Sequence, residues 1–126
     1  MNVSGQIFSR LTGHSGVSAL VSSRVYPLVI PQKPTLPAIA YQQVSDGTDL
    51  GTTNIHPQWY QFGCFASTYA GASALADQVE AAFDEWVGAS GGVTVKTAYR
   101  ISRNDDYDVA TDSIRVIVDF RFVVSE

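Results

Sequence analysis

Two histidines stand among serines and aspartates, so the first chemistry to weigh is a relay in which imidazole takes a hydroxyl proton while a carboxylate orients the ring. That relay needs a nucleophile presented on a sharp strand-to-helix turn within reach of the base. Neither His14, at the end of a predicted helix, nor His56, beside Pro57, belongs to such a motif. Asp105, Asp106, Asp108 and Asp112 gather in one segment, and hard cations such as calcium favour carboxylate oxygens. Their spacing lacks the alternating ligands and central glycine of an EF-hand loop, so a solvated hairpin tip is the plainer reading. The glycines of Asp46-Gly47-Thr48-Asp49-Leu50-Gly51 come without the lysine and following helix of a phosphate-binding loop, which leaves a polar loop over residues 45–54. Cys64 is the only cysteine, so neither an intrachain disulfide nor a cysteine-based zinc cluster can form. It shares strand parity with Tyr60 and Phe62, where a thiol packs as a small hydrophobe. The expectation is a chain with no catalytic residue, no cofactor and no metal site.

The elements that must position these side chains are legible from periodicity. Val3, Ile7, Phe8 and Leu11 recur at helical spacing and Gly13 closes them, which predicts a short N-terminal helix, with Val17–Val21 as a further turn. Arg24-Val25-Tyr26-Pro27 is a short extended piece, and three prolines between Pro31 and Pro37 stiffen the loop after it. Ala38–Val44 and Gln58–Ala66 read as strands, the second with Tyr60, Phe62, Cys64 and Ala66 on one side and Trp59, Gln61, Gly63 and Phe65 on the other. Ser67 or Thr68 can cap a long helix whose apolar stripe is Ala72, Leu75, Ala76, Val79, Ala82, Phe83 and Trp86. Gly88 and Ser90-Gly91-Gly92 stop it. Val93, Val95, Tyr99 and Ile101 alternate with polar residues, and Ile114 to Val124 repeats the alternation, so two further strands are expected to pair across a turn from Asn104 to Asp112. The predicted fold is α+β: an antiparallel sheet of about four strands, one long helix packed on one face and a short N-terminal helix.

Bulk properties narrow the function. With 126 residues the chain fits a single domain, 1–126, with a core of its own. Apolar residues make up 45% and charged residues 16%, against a usual charged share of about a quarter, which points to surface covered by partners. A formal charge of −4 and a pI near 4.9 lack the basic excess of a duplex-binding groove. The N-terminus has no signal-peptide pattern and no apolar run approaches membrane-spanning length, so neither export by that route nor a membrane partner is expected.

What remains is surface. Asp77, Glu80 and Asp84 share the helix face turned away from the sheet, while Lys96, Arg100, Arg115 and Arg121 are expected on the sheet face opposite the helix. Unlike but complementary sides favour head-to-tail contacts that close into rings. Exposed ion pairs are worth only about 0–1 kcal/mol each, so strand pairing or apolar contact must supply most of the energy. The long β-branched run Ile114–Val124 is the expected open edge, and Trp59 and Phe65 the expected apolar contacts.

The order of motifs resembles the tail completion, or tail-to-head joining, proteins of long-tailed bacteriophages and related prophage particles. The matching pieces are Arg24-Val25-Tyr26-Pro27, Leu36-Pro37-Ala38-Ile39, Tyr60-Gln61-Phe62-Gly63-Cys64-Phe65-Ala66-Ser67 and Leu75-Ala76-Asp77-Gln78-Val79. The resemblance implies a virion subunit, made in the host cytoplasm, that forms a ring of its own copies, commonly a hexamer. That ring sits on the head-proximal end of the tail tube, ends tube growth and meets the head connector, and DNA passes through it without specific binding. It transfers no catalytic or cofactor residues. Two other readings compete: a head-completion or connector subunit of the neck, and, from another class, a small cytosolic dimer holding a ligand beside Trp59. The latter predicts a ligand-dependent tryptophan signal, which a ring subunit lacks.

Overall fold

In the computed structural model, residues 3–46, 55–84, 86–90 and 92–125 are described. The sheet has six strands, not the expected four, and it is mixed. In chain order the elements are α1 (Ser4–Gly13), α2 (Ser15–Val21), β1 (Val25–Pro27), β2 (Ala38–Asp46), β3 (Ile55–Ala66), α3 (Tyr69–Phe83), β4 (Gly88–Ser90), β5 (Val93–Asp108) and β6 (Ser113–Ser125). The strands lie in the order β1-β2-β3-β6-β5-β4. β1 runs parallel to β2 and every other neighbouring pair is antiparallel.

The two strands absent from the expected fold are each three residues long, too short to show a period. β1 ends in Pro27, which suits an edge because proline has no amide hydrogen to give a ladder. β4 begins at Gly88, a residue expected only to end the helix, and pairs Gly88–Ser90 with Val95–Val93. β6 is not an edge. It lies between β3 and β5 along its whole length, so the open backbone expected there belongs elsewhere. The polar segment expected over 45–54 is also redrawn: residues 45 and 46 continue β2, and 47–54 lie outside the described residues.

Three helices, not one long and one short, cover one face of the sheet. The α3 stripe Ala72, Leu75, Ala76, Val79, Ala82 and Phe83 is buried as its spacing requires. Thr68 caps it, Oγ1 accepting from the Gly71 amide at 3.1 Å. The helix ends at Phe83, so Trp86 enters the core from beyond it, 5.4 Å from the Phe83 ring and 6.0 Å from Phe122. Ile7 and Leu11 of α1, and Val17 and Val21 of α2, join the same core. Arg10 Nε donates to the Ala82 carbonyl at 2.7 Å and ties α1 to the end of α3. Facing these helices are Ile39, Tyr41, Tyr60, Phe62, Cys64, Val116, Val118, Phe120, Phe122 and Val124, the alternation read from β3 and β6. Phe62 stands at the centre, 5.0 Å from Phe83 and about perpendicular to Phe120 and Phe122. No described helix is long and apolar enough to cross a membrane.

Candidate assembly interface

Several of the residues that raised catalytic readings have structural roles. His14 caps α2, its Nδ1 accepting from the Val17 amide at 3.4 Å. His56 lies in β3 opposite Val124. Asp105, Asp106 and Asp108 belong to β5, which runs further than expected and confines the turn to 109–112. Asp112 adopts φ 50°, a left-handed conformation that aspartate tolerates better than most residues, and its carboxylate accepts from the Tyr107 hydroxyl. That bond raises the Tyr107 pKa above its ordinary value. Asp108 accepts from Thr111. Among the described residues no group of three or more His, Cys, Asp or Glu is placed to hold a metal ion.

β5 departs most from its predicted periodicity, and the departure relocates charge. Its pairing with β6 slips between Val95 and Thr97 and again between Arg100 and Ser102. Each bulge adds one residue and swaps the faces that follow. Ala98 therefore points to the core in place of Tyr99 and Ile101, which are exposed. Arg100, expected on the face opposite the helices, lies opposite Phe120 on the helix side and reaches Glu80 at 3.1 Å. Beyond the second bulge Arg103 joins it there. Its guanidinium donates to Asp77 Oδ1 at 2.8 Å, to Glu80, to the Ser73 carbonyl at 3.2 Å and to Ser73 Oγ at 2.9 Å. Burial favours the neutral form of Arg103, but the hydrogen bonds of the two carboxylates outweigh it and raise the pKa.

Asp77 and Glu80 are thus neutralised within the subunit. Asp84, at the end of α3, is exposed and has no ion-pair partner among the described residues. Lys96 falls in the first bulge, exposed. Arg103 was not among the candidate residues, because no run of alternation announces a bulge.

No helix among the described residues covers the other face of the sheet, and its side chains form rows across the strands. Trp59, Arg121 and Tyr99 make one row. Gln42, Gln61, Asp119 and Ser102 make the next, with Gln42 Nε2 donating to Gln61 Oε1 at 3.1 Å and Ser102 to Asp119 Oδ2 at 2.9 Å. Phe65, Arg115 and Asp106 make another: the Arg115 guanidinium lies 5.6 Å from the Phe65 ring centre and ion-pairs with Asp106. That pairing, with the Tyr107 amide, holds the Asp106 carboxyl below its usual range. Gly63 makes room for the stack, since a Cβ there would meet Phe65 at 3.0 Å and Arg115 at 3.3 Å. Phe65 is consequently buried, whereas Trp59, expected beside it as a contact residue, is half-exposed. The buried Trp59 Nε1, Arg121 Nε and Asp119 Oδ1 have no hydrogen-bond partner among the described residues.

One open cavity of about 340 Å³ lies where α1 meets β4, lined by Gly5, Gln6, Ser9, Arg10, Trp86, Gly88 and Ala89. Its guanidinium is already committed through Nε to the Ala82 carbonyl, and no acid or base faces it from that lining. A second open cavity of about 320 Å³ is lined by Glu80, Ala81, Asp84, Arg100 and Phe120, beside the ion pair of Arg100 and Glu80.

Comparison with known proteins bears on what these surfaces meet. The chain matches the family model described as "Tail completion protein gp17" over residues 5–125. No curated protein sequence matches it significantly. Among solved structures it is similar to a chain of the "Virion of native gene transfer agent (GTA) particle", with a TM-score of 0.68 and 23% identity over 95% of this chain and 92% of that one. At that identity the likeness speaks to fold.

Proposed function

Because this chain belongs to the tail completion protein gp17 family, a family of phage structural proteins, we propose that it forms a ring at the head-proximal end of the tail tube. There it ends tube growth and joins the tail to the head connector, as a non-enzymatic part of the virion. The observation that carries this reading is the family match over residues 5–125, nearly the whole domain. The fold shared with a chain of a phage-like virion agrees with it. So does a sheet with one face bare of helices, because a bare face and a covered one make the two sides of a subunit unlike. Unlike sides suit head-to-tail closure into rings. A hexamer is the proposed ring, and DNA passes through it held by no base-specific contact, in keeping with the acidic net charge of −4.

Of the residues expected to meet a neighbour, Asp84, Lys96, Arg121 and Trp59 remain available as proposed contacts. Asp77, Glu80 and Arg100 contribute first to the subunit's own ion-pair network. Negative-stain imaging of the purified protein, with and without tail tubes, tests the proposal. Rings alone and caps on one end of the tubes are expected. A protein that leaves tubes uncapped and growing would overturn it.

A further inference from the structure

The sheet leaves backbone unpaired at both of its ends. β4 covers β5 only at Val93–Val95, so no described strand pairs with the outer side of β5 from Lys96 to Asp108. Its first half is interrupted by the two bulges, a device that discourages pairing. Its second half is regular: Ser102 to Asp108 matches Asp119 to Ser113 of β6 without a slip. At the other end β1 covers β2 only at Ile39–Tyr41, and no described strand pairs with that side of Gln42–Ser45, a stretch that carries a single register shift, between Gln43 and Ser45. Tyr107 on one edge and Val44 on the other are large apolar side chains that the fold leaves exposed.

Resting on the ring proposed above, we infer that the Ser102–Asp108 edge of one subunit adds to the Gln42–Ser45 edge of the next, so that the sheet continues from copy to copy. Main-chain hydrogen bonds would supply the adhesion, as in strand addition generally. Charge selects this partner over the alternatives. The β5 run carries Asp105, Asp106 and Asp108, and two such runs laid side by side would set carboxylate against carboxylate, which destabilises a strand pair. The β2 run, Gln42-Gln43-Val44-Ser45, carries no charge, and its amide groups can donate to carboxylates. The two edges are different surfaces, so the contact is head-to-tail and propagates until it closes. The β5 edge is also held in place before any partner arrives. Arg103, near the start of the run, is fastened to α3 through Ser73, Asp77 and Glu80, which lowers the ordering cost of association.

Hydrogen exchange on the unmodified protein, paired with light scattering, tests the seam. Concentrations at which the mass is that of a monomer are compared with those at which it is that of a ring. The amides of 102–108 and of 42–45 that point away from β6 and β3 are expected to slow by at least about tenfold on assembly. A second measurement uses the Val44→Cys, Asp105→Cys double variant and a short thiol cross-linker, with Cys64 left in its buried position. It should yield a ladder of covalent oligomers up to the ring number, and either single variant should yield none. A ring by mass whose edge amides exchange at the monomer rate overturns the seam and leaves the ring standing. Covalent dimers from Asp105→Cys alone would show β5 meeting β5 and also overturn it. A monomer at every concentration overturns both proposals.

Discussion

Cys64 sits on the helix side of β3, wholly enclosed, and burial pushes its thiol pKa up to about 12, with Arg103 pulling it slightly back and Glu80 adding to the rise. A thiol in that state is neither a nucleophile nor a metal ligand at neutral pH. Thiol reagents should therefore leave the folded protein unmodified and react once denaturant exposes the chain; rapid labelling of the native protein would contradict this placement. The sign of the linkage is also set. The folded pKa is raised, so the contribution of the neutral thiol is intact below the ordinary thiol range and declines as pH rises through it toward 12. Asp106 behaves in the opposite sense. Its pKa is lowered by Arg115 first and by the Tyr107 amide next, so its contribution is present above the usual carboxylate range and is lost as pH falls through the lowered value. Thermal melts of the wild type and of Asp106→Asn should differ near neutrality and converge in acid. A constant difference across pH would deny Asp106 this role.

At the scale of elements, the contact between α3 and β5 is electrostatic where that between α3 and β6 is apolar. Arg103 has a side-chain exposure of 22%, and Glu80 one of 25%, low enough for their hydrogen bonds to count. Replacing Arg103 with Met should cost roughly 1.5–3 kcal/mol in urea unfolding, the range for hydrogen bonds to charged groups. A loss near zero would mean that the network is only a solvated surface pair. The aromatic centre sets a larger scale. Phe62 contacts Phe83, Phe120 and Phe122 across the two layers, and Phe62→Ala should cost about 3–5 kcal/mol, read from the same unfolding curves. The helix stripe of α3 and the alternation of β3 and β6 were legible because each repeats over several turns or pairs. β1 and β4 were not, and β5 misled, because two extra residues in one strand exchange its faces while leaving its composition unchanged.

For the whole molecule, an assembled ring should have a mass that is a small multiple of the subunit's, with the hexamer expected. Asp84 is the acidic residue of the α3 face that no described residue neutralises, so it is the one whose reversal can act between subunits. Asp84→Arg should shift the balance toward monomer in light scattering, and an added Arg121→Glu should restore the ring if those two residues meet. Reversal of Asp77 would test something else, because Asp77 is bound to Arg103 of its own subunit and its loss would disturb folding as well as assembly.

By itself the amino-acid sequence determined the family, through the order of motifs along the chain, and the core faces of α3, β3 and β6, a cap at Ser67 or Thr68 and the burial of Cys64, through spacing within single segments. Only the tertiary structure decided that β6 is central and β5 open, that Arg100 turns toward the helices, and that Arg103 rather than a neighbouring subunit answers Asp77 and Glu80. The physical reason is common to these. Strand order and bulges depend on which distant segments exchange backbone hydrogen bonds, and backbone groups are the same in every residue, so side-chain patterning carries little trace of the choice.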